Sequence, residues 1–227
     1  MKKPIFSIKN LSFFYKKNKV LSINKFDLHR GAMYLFSGFI GSGKSTLMNI
    51  LSKNKTINDG ELFYEDKDIN KISLSNYKKD IVYLDQINKR PWLGGTVKNY
   101  MLKKIKANLK TDYKKAFKKI CNTMKIPKYL LDMDISTLSE GEFRWVNLSI
   151  SIASDSKVLI INYLEKNLDF NRKVILNRVL KRKASYDGVT IIASSYNPDL
   201  FKMSTSVSIK IDRGRITQVR SLGHKSK

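Results

Sequence analysis

One stretch constrains this chain more than any other: Gly38-Phe39-Ile40-Gly41-Ser42-Gly43-Lys44-Ser45-Thr46. The apolar run Met33-Tyr34-Leu35-Phe36 precedes it and reads as a strand; Thr46-Leu47-Met48-Asn49-Ile50-Leu51 comes after it and reads as the opening of a helix. Strand, glycine-rich loop and helix in that order, with Lys and Ser closing the pattern, form a phosphate-binding loop. Gly38, Gly41 and Gly43 give the backbone conformations that a Cβ forbids, so that successive N–H groups turn inward. The helix N-terminus adds free donors and a partial positive charge. Lys44 is placed to reach the β- and γ-phosphates of a nucleotide, and Ser45 to offer its hydroxyl to Mg²⁺. Ser42 and Thr46 complete the candidate phosphate contacts. The competing reading, a glycine-rich turn that caps a helix, gives no reason for Lys and Ser at these two places.

The rest of the chain has the pattern of a globular α/β protein. At 227 residues and 42% hydrophobic content it supports one core with an inserted subdomain. Residues around Ile5–Tyr15 and Val20–Leu28 alternate apolar and polar, with Lys16-Lys17-Asn18-Lys19 as the turn, which predicts an antiparallel hairpin. Tyr15, or Phe14 beside it, is a candidate to stack on an adenine ring; the alternative is an aromatic edge strand. Asp59-Gly60-Glu61 reads as a turn into the strand Leu62-Phe63-Tyr64. Ile81-Val82-Tyr83-Leu84 reads as a buried strand ending in Asp85-Gln86. Residues 96–133 are helical in pattern and punctuated by Pro127, with lysines 103, 104, 106, 110, 114, 115, 118 and 119 between the apolar positions. Those lysines read as a solvated face, or as a surface for an acidic partner.

Leu138-Ser139-Glu140-Gly141-Glu142 precedes a helix carrying Phe143, Val146, Leu148, Ile150 and Ile152. Val158-Leu159-Ile160-Ile161 is a buried strand. A helix after Asp169 is expected to present Val174, Ile175, Val179 and Leu180 on one face. Two further strands, Val189–Ile192 and Val207–Ile211, flank a short helical segment, and Asp212-Arg213-Gly214 is a turn. The tail Gly223–Lys227 is expected to fray.

Composition limits function less sharply. The single cysteine, Cys121, excludes a disulfide within the chain, fits a reducing compartment, and reads as a packing residue. The basic N-terminus lacks the apolar stretch of a signal peptide, and no segment approaches the ~20 apolar residues of a spanning helix. The net charge of +25 has three readings. It can reflect the Lys-, Asn- and Ile-rich usage of an AT-rich genome, attraction to an anionic membrane leaflet, or nonspecific contact with nucleic acid.

With these motifs in place, the chain resembles the nucleotide-binding subunit of ABC transporters over essentially its whole length. Gly38 to Thr46 is similar to the family's Walker A loop and Gln86 to its Q-loop glutamine. Leu138-Ser139-Glu140-Gly141-Glu142 resembles the LSGGQ signature, and Leu168-Asp169 the end of the D-loop. Tyr15 falls where the family places its adenine-stacking aromatic. The resemblance implies a P-loop NTPase (RecA-like) α/β core, residues 1–88 and 139–227, with an antiparallel β subdomain and an inserted helical subdomain, residues 89–138. It implies ATP and Mg²⁺ as cofactors, with Ser45 and Gln86 at the metal. It also implies a head-to-tail dimer in which Ser139 and the Gly141 backbone contact ATP held by the partner. The helical insert would dock a transmembrane permease-type subunit, which places the chain on the cytoplasmic face of the membrane.

Three departures bear on chemistry. Where the family ends a strand with Asp-Glu, for Mg²⁺ and for the attacking water, this chain has Asn162 and Tyr163; its switch histidine falls at Ser195. Asn adds no negative charge, and a phenol keeps its proton at neutral pH and is a poor base. No catalytic group is intact at these positions. Glu165, two residues on, is not expected to reach the place of the lost base. Asp85 as the acidic residue of the metal strand is a second register, less consistent with Gln86 and the colinear signature. A GTPase is disfavoured because no N-K-x-D motif is present. The expected function is therefore an ATP-binding subunit with weak or no hydrolysis of its own, of the efflux, lipoprotein-release or cell-division type. The rival is a soluble ABC-type module acting on nucleic acid or ribosomes; the first reading makes nucleic acid an unlikely partner.

Overall fold

A computed structural model of the chain describes residues 3–87, 89–92, 94–109 and 112–222. The expected fraying of Gly223–Lys227 and the position of Lys110 fall outside the described residues. The chain enters through β1 (Phe6–Tyr15) and β2 (Asn18–Leu28), paired antiparallel with Tyr15 opposite Asn18. The turn is therefore tighter than the sequence suggests and centres on Lys16, at φ 55°. β3 (Met33–Ser37) runs into the glycine-rich loop and α1 (Lys44–Leu51). Next come β4 (Asp59–Tyr64), β5 (Lys67–Asp68), α2 (Leu74–Asp80) and β6 (Ile81–Leu84). Asp59-Gly60-Glu61 is part of β4 and not a turn before it. Gly60 is needed there because a Cβ would lie 2.3 Å from the Asn10 carbonyl of β1.

The expected helical stretch resolves into α3 (Val97–Asn108), α4 (Tyr113–Thr123) and α5 (Lys128–Asp132). Thr96 and Asp112 cap the first two by accepting from backbone N–H groups. The described lysines of this stretch are exposed, while Met101, Ile105, Phe117, Ile120 and Cys121 face inward. Burial pushes the Cys121 thiol up to about 11, consistent with a packing role. The chain then passes through α6 (Glu140–Ala153), β7 (Val158–Ile161), α7 (Phe170–Ser185), β8 (Thr190–Ser194), β9 (Val207–Asp212) and β10 (Arg215–Ser221). On α7 the inward face is Leu176, Val179, Leu180 and Ala184, with Ile175 packed at its edge. Val174, expected on that face, is 43% exposed.

The strands form two sheets. One is antiparallel, in the order β2-β1-β4-β5; the other runs β10-β9-β3-β8-β7-β6. In the second, β9, β3, β8, β7 and β6 are parallel, and β10 turns back on β9. A parallel sheet buried on both faces produces continuous apolar runs. β7 shows the reason residue by residue: Leu159 and Ile161 pack with α3, α6 and α7, whereas Val158 and Ile160 pack with α1 and the antiparallel sheet. Register aligns the strand ends. Phe36 lies beside Ser194, Ala193 beside Ile161, and Ile161 beside Leu84. The residues after these strands, Gly38, Asp85, Asn162 and Ser195, therefore emerge along one edge, where α/β sheets bind ligands.

Candidate functional site

The glycine-rich loop sits at the end of β3 with little room. Gly38 has φ 147°, and a Cβ there would lie 2.1 Å from the Ile211 carbonyl. Gly43, at φ 104°, caps α1 without any side-chain hydrogen bond, and a Cβ there would meet Leu21 at 2.7 Å. Both positions require glycine, and the first N–H groups of α1 are left without a capping side chain. No acidic residue occupies the first turn of α1, so the positive end of its dipole is not offset by a side chain of its own.

Lys44 is 2% exposed. Its Nζ donates to the carbonyls of Gly38 at 2.7 Å and Phe39 at 2.8 Å, and to Ser42 Oγ at 3.2 Å. Burial lowers its pKa, and the charge of Glu165 partly opposes that shift. Two tyrosine rings stand over it. Tyr163 and Tyr196 stack with centroids 4.2 Å apart and planes 18° from parallel, and Nζ lies 5.8 and 5.2 Å from those centroids. Tyr163 has φ 55°, a costly conformation for an aromatic residue. It is held there by its N–H donating to Ser194 Oγ at 2.9 Å and by its carbonyl accepting from Arg144 Nη2 at 3.0 Å.

Beside the lysine a chain of polar contacts crosses three strand ends. Ser45 Oγ donates to Asn162 Oδ1 at 3.2 Å, and Ser194 Oγ donates to the same oxygen at 2.8 Å. Asn162 Nδ2 donates to Asp85 Oδ1 at 3.2 Å. That carboxylate oxygen also accepts from Tyr83 Oη at 2.8 Å and from the Gln86 N–H at 2.6 Å. Gln86 is half-buried next to it, and Thr46 is half-buried after Ser45. Tyr15 is 61% exposed at the tip of the hairpin that meets the loop through Val20 and Leu21.

Ser195 is fully buried and donates to Glu165 Oε1 at 3.0 Å. The same carboxylate oxygen accepts from the backbone N–H of Tyr196 at 2.6 Å and of Asn197 at 3.2 Å. Glu165 Oε2 is buried with no hydrogen-bond partner. Sequence position alone sets Glu165 apart; the structure brings it to Ser195 and near enough to Lys44 to act on its charge. The backbone turn Tyr163–Leu168, with Asn167 also at positive φ, delivers it there.

The start of α6 lies on the other side of these strand ends. Ser139 is its N-cap in a capping box with Glu142: Oε2 accepts from the Ser139 N–H at 2.9 Å and from its hydroxyl at 2.7 Å, while Ser139 Oγ accepts from the Glu142 N–H at 3.3 Å. These bonds hold the Glu142 carboxyl below its usual pKa. Glu140 pairs with Arg90 at 2.8 Å. Both carboxylates are thus turned onto partners within the chain. A Cβ on Gly141 would lie 2.5 Å from the Asn167 carbonyl.

One turn further on, Arg144 is buried, as are its sequence neighbours Phe143, Trp145 and Val146. It donates to the carbonyls of Asp85, Asn162 and Tyr163, tying α6 to two strand ends. Burial lowers its pKa to about 10. Sequence reasoning missed Arg144 as well as Tyr196; a lone charge within the apolar run Phe143–Val146 was the available signal for the former.

A phosphate-binding loop at the end of a central parallel strand, an antiparallel sheet beside it and a helical cluster ahead of a capped signature helix define the ATP-binding cassette. The sequence profile of the ABC transporter family matches residues 21–162, and the chain belongs to that family. The ATP-binding protein Uup of Buchnera aphidicola is 29% identical over 94% of this chain, which spans 34% of that protein's length. The probable iron export ATP-binding protein FetA of Escherichia coli is 23% identical, over 86% of each chain. The ATP-binding cassette MJ0796, solved as a dimer in a post-hydrolysis state with ADP and Pi, superposes with a TM-score of 0.84. The match covers 96% of this chain and 99% of that one, at 18% identity. The fold is therefore the expected one, a P-loop core with an antiparallel sheet and a helical subdomain. Among the described residues no helix is long and apolar enough to cross a membrane.

Proposed function

We propose that this chain is the ATP-binding subunit of a membrane ABC complex, and that its own site holds MgATP while cutting it slowly or not at all. The observation that carries this reading is the contrast around Lys44. The loop that grips phosphates is complete, while the strand ends facing it present an amide, a phenol and a hydroxyl at Asn162, Tyr163 and Ser195. The residues fit a divalent cation: Ser45 Oγ and Asn162 Oδ1 face each other at 3.2 Å, with the half-buried Gln86 beyond Asp85. When bound, Mg²⁺ neutralises charge on the terminal phosphates.

The chain's own groups account for the rest. The loop N–H groups and Lys44 bind the phosphates, and Tyr15 stacks on the base. The Tyr163–Tyr196 stack presents aromatic faces near the lysine, with Tyr163 where the family positions its base, while Ser195, at the place of its histidine, donates to Glu165. General-base catalysis contributes ~10²–10⁴ in rate, so its loss leaves turnover near background. Closure on ATP with a second cassette, homo- or heterodimeric, uses Ser139 and Gly141. The helical cluster α3–α5 docks a transmembrane subunit, and the chain works on the cytoplasmic face. The domain division at residues 89–138 belongs to the same reading.

Calorimetric ATP titration and steady-state phosphate release from the purified chain test this. Binding with turnover far below the ordinary ~1–10³ per second is expected. The charge-assisted bonds of Lys44 are worth ~1.5–3 kcal/mol, so Lys44→Ala should weaken binding by about 10- to 100-fold. Ordinary turnover that disappears in Lys44→Ala would refute the impaired-site part.

The net charge of +25 supports a second reading, a module acting on nucleic acid or ribosomes. Binding to duplex RNA or DNA that falls steeply with salt would favour it; co-purification with a multi-spanning membrane protein would favour the first.

A further inference from the structure

The end of β7 offers an amide where a divalent cation calls for negative charge, yet the amide is not alone. Asn162 is 1% exposed, and its hydrogen bonds fix its orientation. Its Nδ2 side faces Asp85 Oδ1 at 3.2 Å, and its Oδ1 side receives Ser45 Oγ at 3.2 Å and Ser194 Oγ at 2.8 Å. A rotated amide would set oxygen against carboxylate and nitrogen against two hydroxyl donors. Asp85 thus holds the Asn162 oxygen toward Ser45, the hydroxyl next to the phosphate-gripping lysine. Asp85 is itself held, by Tyr83 Oη at 2.8 Å and the Gln86 N–H at 2.6 Å. Its position is set by register, since Leu84 and Ile161 are neighbours on parallel strands and the next residues stand side by side.

We propose that Asp85 and Asn162 together replace a single metal-binding carboxylate: Asn162 supplies the oxygen facing the cation, and Asp85, one residue further back, supplies the charge and fixes the amide. Asp85 is a positioning residue for Mg²⁺. The inference rests on the MgATP reading of the site. Partners one step behind a metal ligand tune its basicity and orientation, and losing one typically costs ~10–100-fold in metal affinity.

Exchanging the two groups keeps one carboxylate and one amide between the strand ends. In a chain carrying Asp85→Asn and Asn162→Asp, the amide at 85 donates to the carboxylate at 162, with its Nδ2 in the place of the Asp85 oxygen that in the parent accepts from Tyr83 Oη, the Gln86 N–H and Asn162 Nδ2. The carboxylate at 162 still accepts from Ser45 and Ser194. The single Asn162→Asp variant instead places two carboxylates at hydrogen-bond distance, which is unfavourable unless one takes up a proton.

The experiment is calorimetric titration of ATP into the full chain with Mg²⁺ or with EDTA, each variant first checked for an unchanged thermal transition. Wild type should bind more tightly with Mg²⁺. Asp85→Asn should lose about tenfold or more of that enhancement while its affinity in EDTA stays within about twofold. The exchanged double variant should recover the enhancement, and Asn162→Asp alone should not. An unchanged enhancement in Asp85→Asn would overturn the proposal, as would Asn162→Asp surpassing the double variant. If Asp85→Asn fails to fold, Asn162→Asp decides alone: an enhancement no larger than the parent's supports the proposal and a larger one overturns it. A wild-type chain that binds ATP equally in both buffers also overturns it, whereas one that binds in neither defeats the nucleotide reading itself.

Discussion

The phosphate loop and the strand ends opposite it are built by the same sheet, but they respond differently to sequence change. At the loop, Gly38 and Gly43 have no alternative: a Cβ would strike the Ile211 carbonyl or the Leu21 side chain. Lys44 donates to three oxygens, from Gly38, Phe39 and Ser42. At the strand ends, by contrast, each neutral replacement has found partners. Asn162 bridges Ser45, Ser194 and Asp85; Ser195 donates to Glu165; Tyr163 stacks on Tyr196. The loop is constrained by backbone geometry, which tolerates few residues. The strand ends are constrained by hydrogen-bond satisfaction, which several residue sets can meet. On the proposed reading, grip and cutting are separable in this fold without loss of packing.

The largest expected effect breaks that separation. Tyr163→Glu combined with Ser195→His restores a carboxylate and an imidazole at the strand ends. Phosphate release should rise by about 10²-fold or more over the parent chain, with ATP affinity little changed. A flat rate in a folded double variant would show that the two regions are coupled by more than these side chains.

A smaller effect probes what holds the strand ends in place. Arg144→Leu removes the donor shared by the Asp85, Asn162 and Tyr163 carbonyls. Leaving buried acceptors unpaired costs about 1–3 kcal/mol. The thermal midpoint should fall by about 2–12 °C, whereas a change in the exposed loop residue Ile40, 84% exposed, should leave it within about 1 °C.

The smallest concerns the start of α6. Because Ser139 holds the Glu142 carboxyl below its usual pKa of 4.5, the charged carboxyl contributes stability above that value. The contribution is lost as pH falls through the lowered native pKa. Glu142→Gln keeps the capping geometry without a charge, so its stability should lie slightly below the parent near neutral pH and converge with it under acid. Urea midpoints measured from pH 7 down to about 3 would show this. Parallel curves for the two chains would contradict it.

Much of this architecture was legible from residue order. The glycine-rich loop and its flanking strand and helix declare themselves because their chemistry is local. The apolar run Val158–Ile161 reads as buried on both faces because it is. What stayed hidden depends on partners distant in sequence. β10 carries polar residues around Ile216 and is held by pairing with β9 through a turn with Arg213 and Gly214 at positive φ, so periodicity could not reveal it. Glu165 reaches Ser195 only because β7 and β8 are adjacent and Tyr163 bends the chain. Asp85 was visible as an acid beside Gln86, but its contact with Asn162 is a product of register.

Gly141 carries one more consequence. Its α-hydrogen faces the Asn167 carbonyl so closely that even a methyl group would collide, which makes this glycine a requirement of the subunit's own interior. The fold alone requires a glycine there, while Glu140 and Glu142 on either side are engaged by Arg90 and Ser139. The middle of the signature-like segment is thus fixed by folding, independently of any contact with a neighbour.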